Sequence, residues 1–382
     1  MTGQVETQKA WMNQEENNIV LFYPFVPNSA ASSVAEVLSS RWIGQGPKVD
    51  QFELSFNSKF NQKASIAVGS GTDALHLAYL LAGIKPGDEV ICPVFTCTAT
   101  NLPLLYIGAI PVFADIDPLT MNISPKSIRD RITDKTKAIV TVDYAGLPCD
   151  YDEILEIANE FHLVVIDDAA HAVGASYKGR NIGTIADFTT YSFQAIKHIT
   201  TGDGGLLSMR DESKLDESRR LRWFGIDRVA KQNGIWANDI VEVGYKYQMT
   251  DIGAAIGLAG LNEFDKMYSL RKEILGIYLN RLANLSGLYN VGIDSLQDRT
   301  HAAWMHTILV DEREKLQAKL RENAIESAQV HYRNDMYSIF GGRRSDLPNM
   351  DLLENKYLVL PIHPKMSIED ADRVCDVIIS GW

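Results

Sequence analysis

The chain has 382 residues, 46% of them hydrophobic and 23% charged, enough for one large and one smaller domain with a sizeable buried core. Its 49 acidic and 37 basic residues leave a net charge of −12, which excludes the general electrostatic attraction that nucleic-acid binding relies on. The four cysteines (Cys92, Cys97, Cys149, Cys375) show no C-x-x-C spacing, which argues against a zinc site or a disulfide framework and for reduced thiols.

Residues 1–18 are polar and of mixed charge, and are expected to form a flexible N-terminal arm without the apolar core of a signal peptide. No run reaches the roughly 20 apolar residues that span a bilayer, so a soluble, cytoplasmic protein with no membrane partner is expected. From about Ala64 a short apolar run, a turn and an amphipathic stretch recur. Ser65–Val68 reads as a strand, followed by a helix with apolar residues at 74, 77, 78, 81 and 82. Strands are predicted at Glu89–Cys92, Pro111–Ala114, Lys137–Asp143, Leu163–Ile166, Thr189–Phe193 and Gly205–Met209, with helices at Thr98–Tyr106 and Tyr151–Phe161. Alternating strands and helices predict an α/β large domain, residues 19–255, with a mostly parallel sheet covered by helices. A long helical stretch from about Ile252 to Leu285 leads into a smaller α+β domain, residues 256–382. There Trp304–Val310 reads as a strand, Glu312–Asn323 as a helix and Ala328–His331 as a short strand. The last helix opens at Ser367 with Asp370 three residues on.

Three constellations carry chemistry. Val68-Gly69-Ser70-Gly71-Thr72 joins a strand to a helix, and its small residues let an anion approach the free N–H groups of the helix terminus. It also matches G-x-G-x-x-A, but no acid closes the following strand where a dinucleotide ribose would need one, which counts against a nicotinamide dehydrogenase. Asp167-Asp168-Ala169-Ala170-His171 ends an apolar strand, where open α/β sheets bind ligands; no third ligand stands at convincing spacing for a metal. Ser192 precedes Lys197 by five residues, and apolar neighbours can desolvate that lysine and lower its pKa. A phosphate turn, an acid at a strand end and then a lysine is the order that pyridoxal-phosphate chemistry requires on one sheet.

From about Leu38 onward these and further motifs resemble the DegT/StrS-type nucleotide-sugar aminotransferases, a branch of the fold type I pyridoxal 5′-phosphate (PLP) enzymes. The resemblance rests on Trp42-Ile43-Gly44-Gln45-Gly46-Pro47, Gly69–Leu75, Pro93-Val94-Phe95-Thr96, Asp168-Ala169-Ala170-His171, Ser192–Lys197 with Thr201–Gly205, and Gly244–Asp251. It implies a large domain with a seven-stranded sheet. It implies that Lys197 carries the cofactor as a Schiff base and shuttles the proton, that Asp168 pairs with the pyridine nitrogen, and that His171 lies beside the phenolic oxygen. Phe95 would stack on the ring, and Gly71, Thr72 and Ser192 would hold the phosphate. Lys246, where many members have Asn, would reach the phosphate of the neighbouring subunit, and Gln248 stands where Arg is common.

Sugar or nucleotide contacts are expected from Trp42, from Trp304 and His306 on one strand face, and from His331 and Tyr332, with the small domain closing one side. The implied activity transfers an amino group from an amino acid, glutamate by analogy, to a keto-sugar of a nucleoside-diphosphate sugar. C4 of a 4-keto-6-deoxyhexose is favoured over C3, for polysaccharide or glycoconjugate amino-sugar synthesis by a homodimer with shared sites. A histidine at the lysine position would have marked the related sugar dehydratases. The alternative of another class is a non-catalytic regulator that binds PLP or a sugar nucleotide.

Overall fold

Period-two burial on both faces builds the main sheet. A computed structural model describes residues 18–237 and 239–382; the expected arm, apart from Asn18, lies outside the described residues. Its large sheet has seven strands: β1 (Ala64–Val68), β2 (Glu89–Pro93), β3 (Ile110–Ala114), β4 (Thr136–Val142), β5 (Val164–Asp168), β6 (Phe188–Ser192) and β7 (Gly205–Met209). Their order is β1-β7-β6-β5-β4-β2-β3, and every neighbouring pair is parallel except those of β7, which runs against both β1 and β6. Ile66, Val68, Val90, Cys92, Ala138 and Val140 enter one core, while Ala67, Ile91 and Ile139 enter another on the opposite face. A sheet covered on both faces needs strands that are apolar throughout, and these are.

Among the described residues, ten helices of eight residues or more frame the sheets: α1 (Ser29–Leu38), α2 (Pro47–Phe60), α3 (Gly71–Leu81), α4 (Thr98–Tyr106), α5 (Tyr151–Phe161), α6 (Leu215–Arg222), α7 (Asp251–Asn262), α8 (Phe264–Arg281), α9 (Arg313–Glu322) and α10 (Ile368–Ile379). α3 and α4 cover one face of the large sheet, and α2, α5 and α7 the other. A third core forms around Ile274 and Tyr278 of α8, helices α9 and α10, and an antiparallel sheet β8-β9-β10 (Leu288–Asn290, His306–Val310, Tyr357–Leu360). None of the described helices is long and apolar enough to cross a membrane.

The structure departs from the sequence expectations in five places. The stretch expected to be one helix from 252 to 285 is two, parted at Glu263. The expected domain boundary at 255/256 falls inside α7, which packs on α1 and α2, and α8 then runs from the core of the large sheet at Phe264 and Met267 into the third core at Ile274 and Tyr278. Ile19 also packs into the small core and bridges to Ile325, which sends the chain across the small unit first. The strand expected from Trp304 starts only at His306, because Ala303 adopts a left-handed φ of 54° that interrupts extended backbone. Of Ala328–His331 only Ala328 pairs with Val359; the true short strand is Tyr332–Arg333, set against Phe95–Thr96. The final helix opens with the expected capping box between Ser367 and Asp370.

Helices α1 and α2 had no counterpart in the sequence reading, and α2 explains why. Its N-cap is Gly46, which offers no side-chain acceptor, with Pro47 at the first helical position. The cap comes from 205 residues away: buried Asp251 accepts from the amides of Gly46 (2.7 Å), Lys48 (3.1 Å) and Val49 (3.1 Å). Replacing Asp251 by Ala strands three helix-terminal donors, so Asp251→Ala should lower stability by roughly 3 kcal/mol, read from the urea midpoint. A loss below about 0.5 kcal/mol, as for an ordinary surface change, would mean that this carboxylate does not hold α2.

Candidate active site

The strand register brings the three sequence constellations to one edge. Val68 pairs with Gly205, and Gly205 pairs with Ser192, so the turn after β1 lies beside the end of β6. A Cβ added to Gly205 would stand 2.3 Å from the Ser70 carbonyl oxygen and 2.7 Å from the Gly71 amide nitrogen, and one added to Gly71 would stand 3.0 Å from the Ser192 Cβ. Close approach of backbones, with no side chain between, leaves a cup formed by the N-terminus of α3, Thr72 and the Ser192 hydroxyl. An eleven-residue helix supplies the positive end of its dipole there.

Asp168 closes β5 and is buried. Its carboxylate accepts from the Thr100 hydroxyl (2.7 Å) and the Ala170 amide (3.1 Å), and the Thr100 hydroxyl is itself bonded to that of Thr96 (2.8 Å). Burial raises its pKa, and these bonds and the nearby Lys197 offset only part of that rise. The loop from β6 to β7 carries Lys197. Burial pushes the Lys197 amine down to about 8 against the attraction of Asp168 and Cys97, and the amine stands 3.7 Å from the centre of the Trp304 ring. His171 stacks on Trp304 at 3.8 Å and 10°, and the His331 ring lies beside them, nearly parallel to His171 (5.2 Å, 7°) and to Trp304 (6.3 Å, 16°). Burial holds His171 well below the usual imidazole range, and its Nδ1 is buried without a partner. The His331 Nε2 is likewise buried and unpartnered, and burial lowers His331 to about 3.

These residues fit a phosphorylated pyridine. A cup at a helix terminus takes the phosphate, a buried acid short of positive partners suits a ring N–H⁺, and a desolvated amine and an unpartnered imidazole face the space between. A family model for the DegT/DnrJ/EryC1/StrS aminotransferases matches residues 27–379. The chain belongs to this family. It is 37% identical over 383 residues to the spore coat polysaccharide biosynthesis protein SpsC of Bacillus subtilis (96% of this chain, 98% of that protein). It is 37% identical over 358 residues to a GDP-perosamine synthase of Caulobacter vibrioides (92% and 95%). The putative sugar aminotransferase Spr1654 of Streptococcus pneumoniae superposes in its PLP form with a TM-score of 0.88 at 28% identity (95% and 98% covered), and has been solved in a PMP form as well. The fold is thus that of PLP-dependent sugar aminotransferases, and PLP is the cofactor.

Within this family frame, not every expected residue reaches the site. Phe95 is only 1% exposed and packs at steep angles against Tyr144 (4.9 Å) and Tyr357 (5.0 Å), within the core rather than facing open space. Cys97, two residues on and partly exposed, is the side chain of this segment whose charge bears on Lys197. His306 is also misplaced as a sugar contact: its Nε2 bonds Asn290 Oδ1 (2.8 Å) and its ring stacks on Tyr278 inside the small core. Trp304 precedes that strand and shares no face with His306; it walls the site, wedged between His171 and Phe22. His331 joins it there, while Tyr332 is 45% exposed at its rim. Trp42 lines a separate cleft of about 440 Å³ with Gln45, Arg219, Arg222, Trp223 and Arg228. Lys246 stands over the Trp223 ring at 3.8 Å and makes no hydrogen bond or ion pair among the described residues. Thr100 belongs to the Pro93–Thr96 with Ala99-Thr100 motif of the sequence but has no role assigned there; its place three residues after Cys97 on α4 aims it at β5.

Two measurements follow. In the cofactor-free protein, Lys197 should react with an amine-directed aldehyde with its midpoint near pH 8, deprotonated above it, where a solvated lysine would show about 10.4; a midpoint near that ordinary value would refute burial as the activating device. Gly205→Ala must displace the Ser70–Gly71 backbone, so PLP affinity should fall at least about tenfold by equilibrium titration, a cost of ~1.4 kcal/mol. Unchanged affinity would remove the cup from the phosphate site.

Proposed function

We propose that the protein transfers the amino group of an amino acid, L-glutamate, to the keto carbon of a nucleoside-diphosphate sugar, C4 of a 4-keto-6-deoxyhexose. Bound PLP supplies the electron sink, and the chain supplies orientation and proton transfer. Asp168 keeps a proton on the ring nitrogen, Gly71, Thr72 and Ser192 anchor the phosphate, and His171 meets the phenolic oxygen. Lys197, with a lowered pKa, moves the proton at the reacting carbon, because a neutral amine is available near pH 8. His331, and Tyr332 at the rim, face the sugar.

The observation that carries the nucleotide part is the Trp42 cleft. Trp42 offers a flat face for a base, beside Trp223 whose ring carries Lys246, and Arg228 offers a forked donor for a diphosphate next to Arg219 and Arg220, which are paired with Asp216 and Glu242. Arg228 gives one nitrogen to the Gln45 carbonyl (2.7 Å) and keeps Nη1 buried and unpartnered. The cleft and the Lys197 chamber share no lining residue, so we read the cleft as completing the chamber of a second copy in a homodimer. Lys246 at the cleft edge supports that, as does the exposed apolar segment that follows α6: Trp236 is 75% exposed and Val243 78%. GDP-perosamine synthases among the relatives support C4 amination.

PLP-loaded protein with L-glutamate should release one equivalent of 2-oxoglutarate per site in a single turnover, and Lys197→Ala should slow this at least about a thousandfold. Arg228→Ala should leave that half-reaction unchanged and raise KM for a nucleoside-diphosphate 4-keto-6-deoxyhexose about tenfold or more. Failure of the glutamate step would favour the regulator reading; an unchanged KM would detach the cleft from the substrate.

A further inference from the structure

Arg271 lies in the middle of α8, is 1% exposed, and has no carboxylate partner among the described residues. Burial alone pushes its guanidinium down to about 9. A buried, unpaired cation is costly, and an apolar side chain of similar volume would ordinarily serve a core better. What Arg271 does is capture backbone: its Nη1 donates to the carbonyls of Ile362 (2.9 Å), Trp304 (3.1 Å) and Ala303 (3.4 Å), and its Nε to the sulfur of Met267 (3.0 Å).

The segment so held is the one that most needs holding. Ala303 sits in the left-handed region, which costs a non-glycine residue roughly 1 kcal/mol or more. The backbone of residues 301–304 finds its partners outside regular structure. Tyr268 Oη donates to the Gly174 carbonyl (2.9 Å) and only approaches that of His301 (3.4 Å), His198 Nε2 bonds the Ala302 carbonyl (2.8 Å), and Arg271 takes the last two. On the other side, the Ala302 and Trp304 amides donate to Gly146 and Ala145. Arg271 alone therefore holds the carbonyls of both Ala303 and Trp304. Trp304 then passes the placement on, because its indole Nε1 donates to the carbonyl of Ile196 (3.1 Å), the residue before Lys197, and its face carries the Lys197 amine.

We infer that Arg271 is a positioning residue for Lys197: it pins the strained Ala303–Trp304 turn, and the pinned indole fixes the loop and the face on which the lysine amine rests. The inference rests on reading Lys197 as the reacting amine. Of the titratable groups coupled to Lys197, namely Asp168, Cys97, His171, His331 and His198, the charge of Arg271 bears only on His198; it bears also on His363, away from the lysine. Two routes therefore join Arg271 to Lys197, the hydrogen-bonded one through Trp304 and an electrostatic one through His198, and we assign the action to Trp304.

The test is a double-mutant cycle read on the cofactor-free protein, with the pH midpoint of Lys197 reductive methylation followed by peptide mass spectrometry. Arg271→Met should release Trp304 and move the midpoint upward by about one pH unit, a tenfold change in amine availability. Arg271→Lys, which keeps the charge but cannot span three carbonyls, should move it the same way by less, and it carries the test if Arg271→Met does not fold. In a Trp304→Phe background, Arg271→Met should add no further shift. A midpoint unmoved by both Arg271 substitutions, with only thermal stability reduced, would make Arg271 merely structural. An equal shift in the Trp304→Phe background would mean that it acts by another route. Either result overturns the inference while a parent midpoint near 8 leaves the Lys197 reading standing; a parent midpoint near 10.4 removes that reading itself.

Discussion

Strand β7 runs against both of its neighbours, and the site depends on that reversal. A parallel connection from β6 would have carried the chain to the far edge of the sheet through a crossover of a dozen or more residues. The antiparallel return turns within residues 193–204 and keeps that loop at the edge where β1, β5 and β6 all end. Lys197 is thereby held above Asp168, while the pairing of Gly205 with both Val68 and Ser192 brings the α3 turn against the β6 terminus. The absence of a side chain at Gly205 is what lets the two backbones meet. Each chemical group is ordinary; their convergence comes from the direction of one strand.

Convergence has an electrostatic cost, and the directions of the pKa shifts show it. Burial raises Asp168, lowers Lys197 and lowers His171 and His331, so every group is driven toward its neutral form. The mutual attraction of Asp168 and Lys197 recovers part of this for each of them. The remainder is a preference for ligand: a cationic ring nitrogen would restore the charge on Asp168, and an oxygen acceptor or donor would satisfy the unpartnered His171 Nδ1. Buried polar groups that the protein itself leaves unpartnered favour a group that completes them, which is how stability given up in folding becomes affinity.

The large sheet was legible because strands buried on both faces advertise themselves as apolar runs, and the motifs at their ends survive translation into one dimension. Asp168, His171, Ser192 and Lys197 could be named for that reason. What failed depended on contacts remote in sequence. Helix α2 has its cap at Asp251, so Pro47 at its first position is left as a local start signal without a local side-chain acceptor. Phe95 sits in a motif that reads as cofactor-facing, yet its ring direction is set by Tyr144 and Tyr357 from other elements. His306 alternates correctly within its strand, but the left-handed Ala303 turns Trp304 out of that register, so pattern alone put the two on one face.

The small unit is expected to close one side of the site, and its bonds make that side a fixed wall. Trp304 and His331 reach the chamber by two separate attachments to the large unit. Residues 302 and 304 bond the backbone of Gly146 and Ala145; Tyr332–Arg333 pair with Phe95–Thr96, and Asn334 bonds both Asn101 and the Thr96 carbonyl. Swinging the unit away would break all of these, at about 1 kcal/mol for each bond and more for buried groups left without partners. Arg333, buried against Asp335, braces the second attachment from behind. A cluster of Phe22, Trp304, His171 and His331 fixed in this way presents the same surface to every substrate. Under the function proposed above, discrimination among sugars falls to the side chains at its edge, Tyr332 and those of a second copy, rather than to a closing motion.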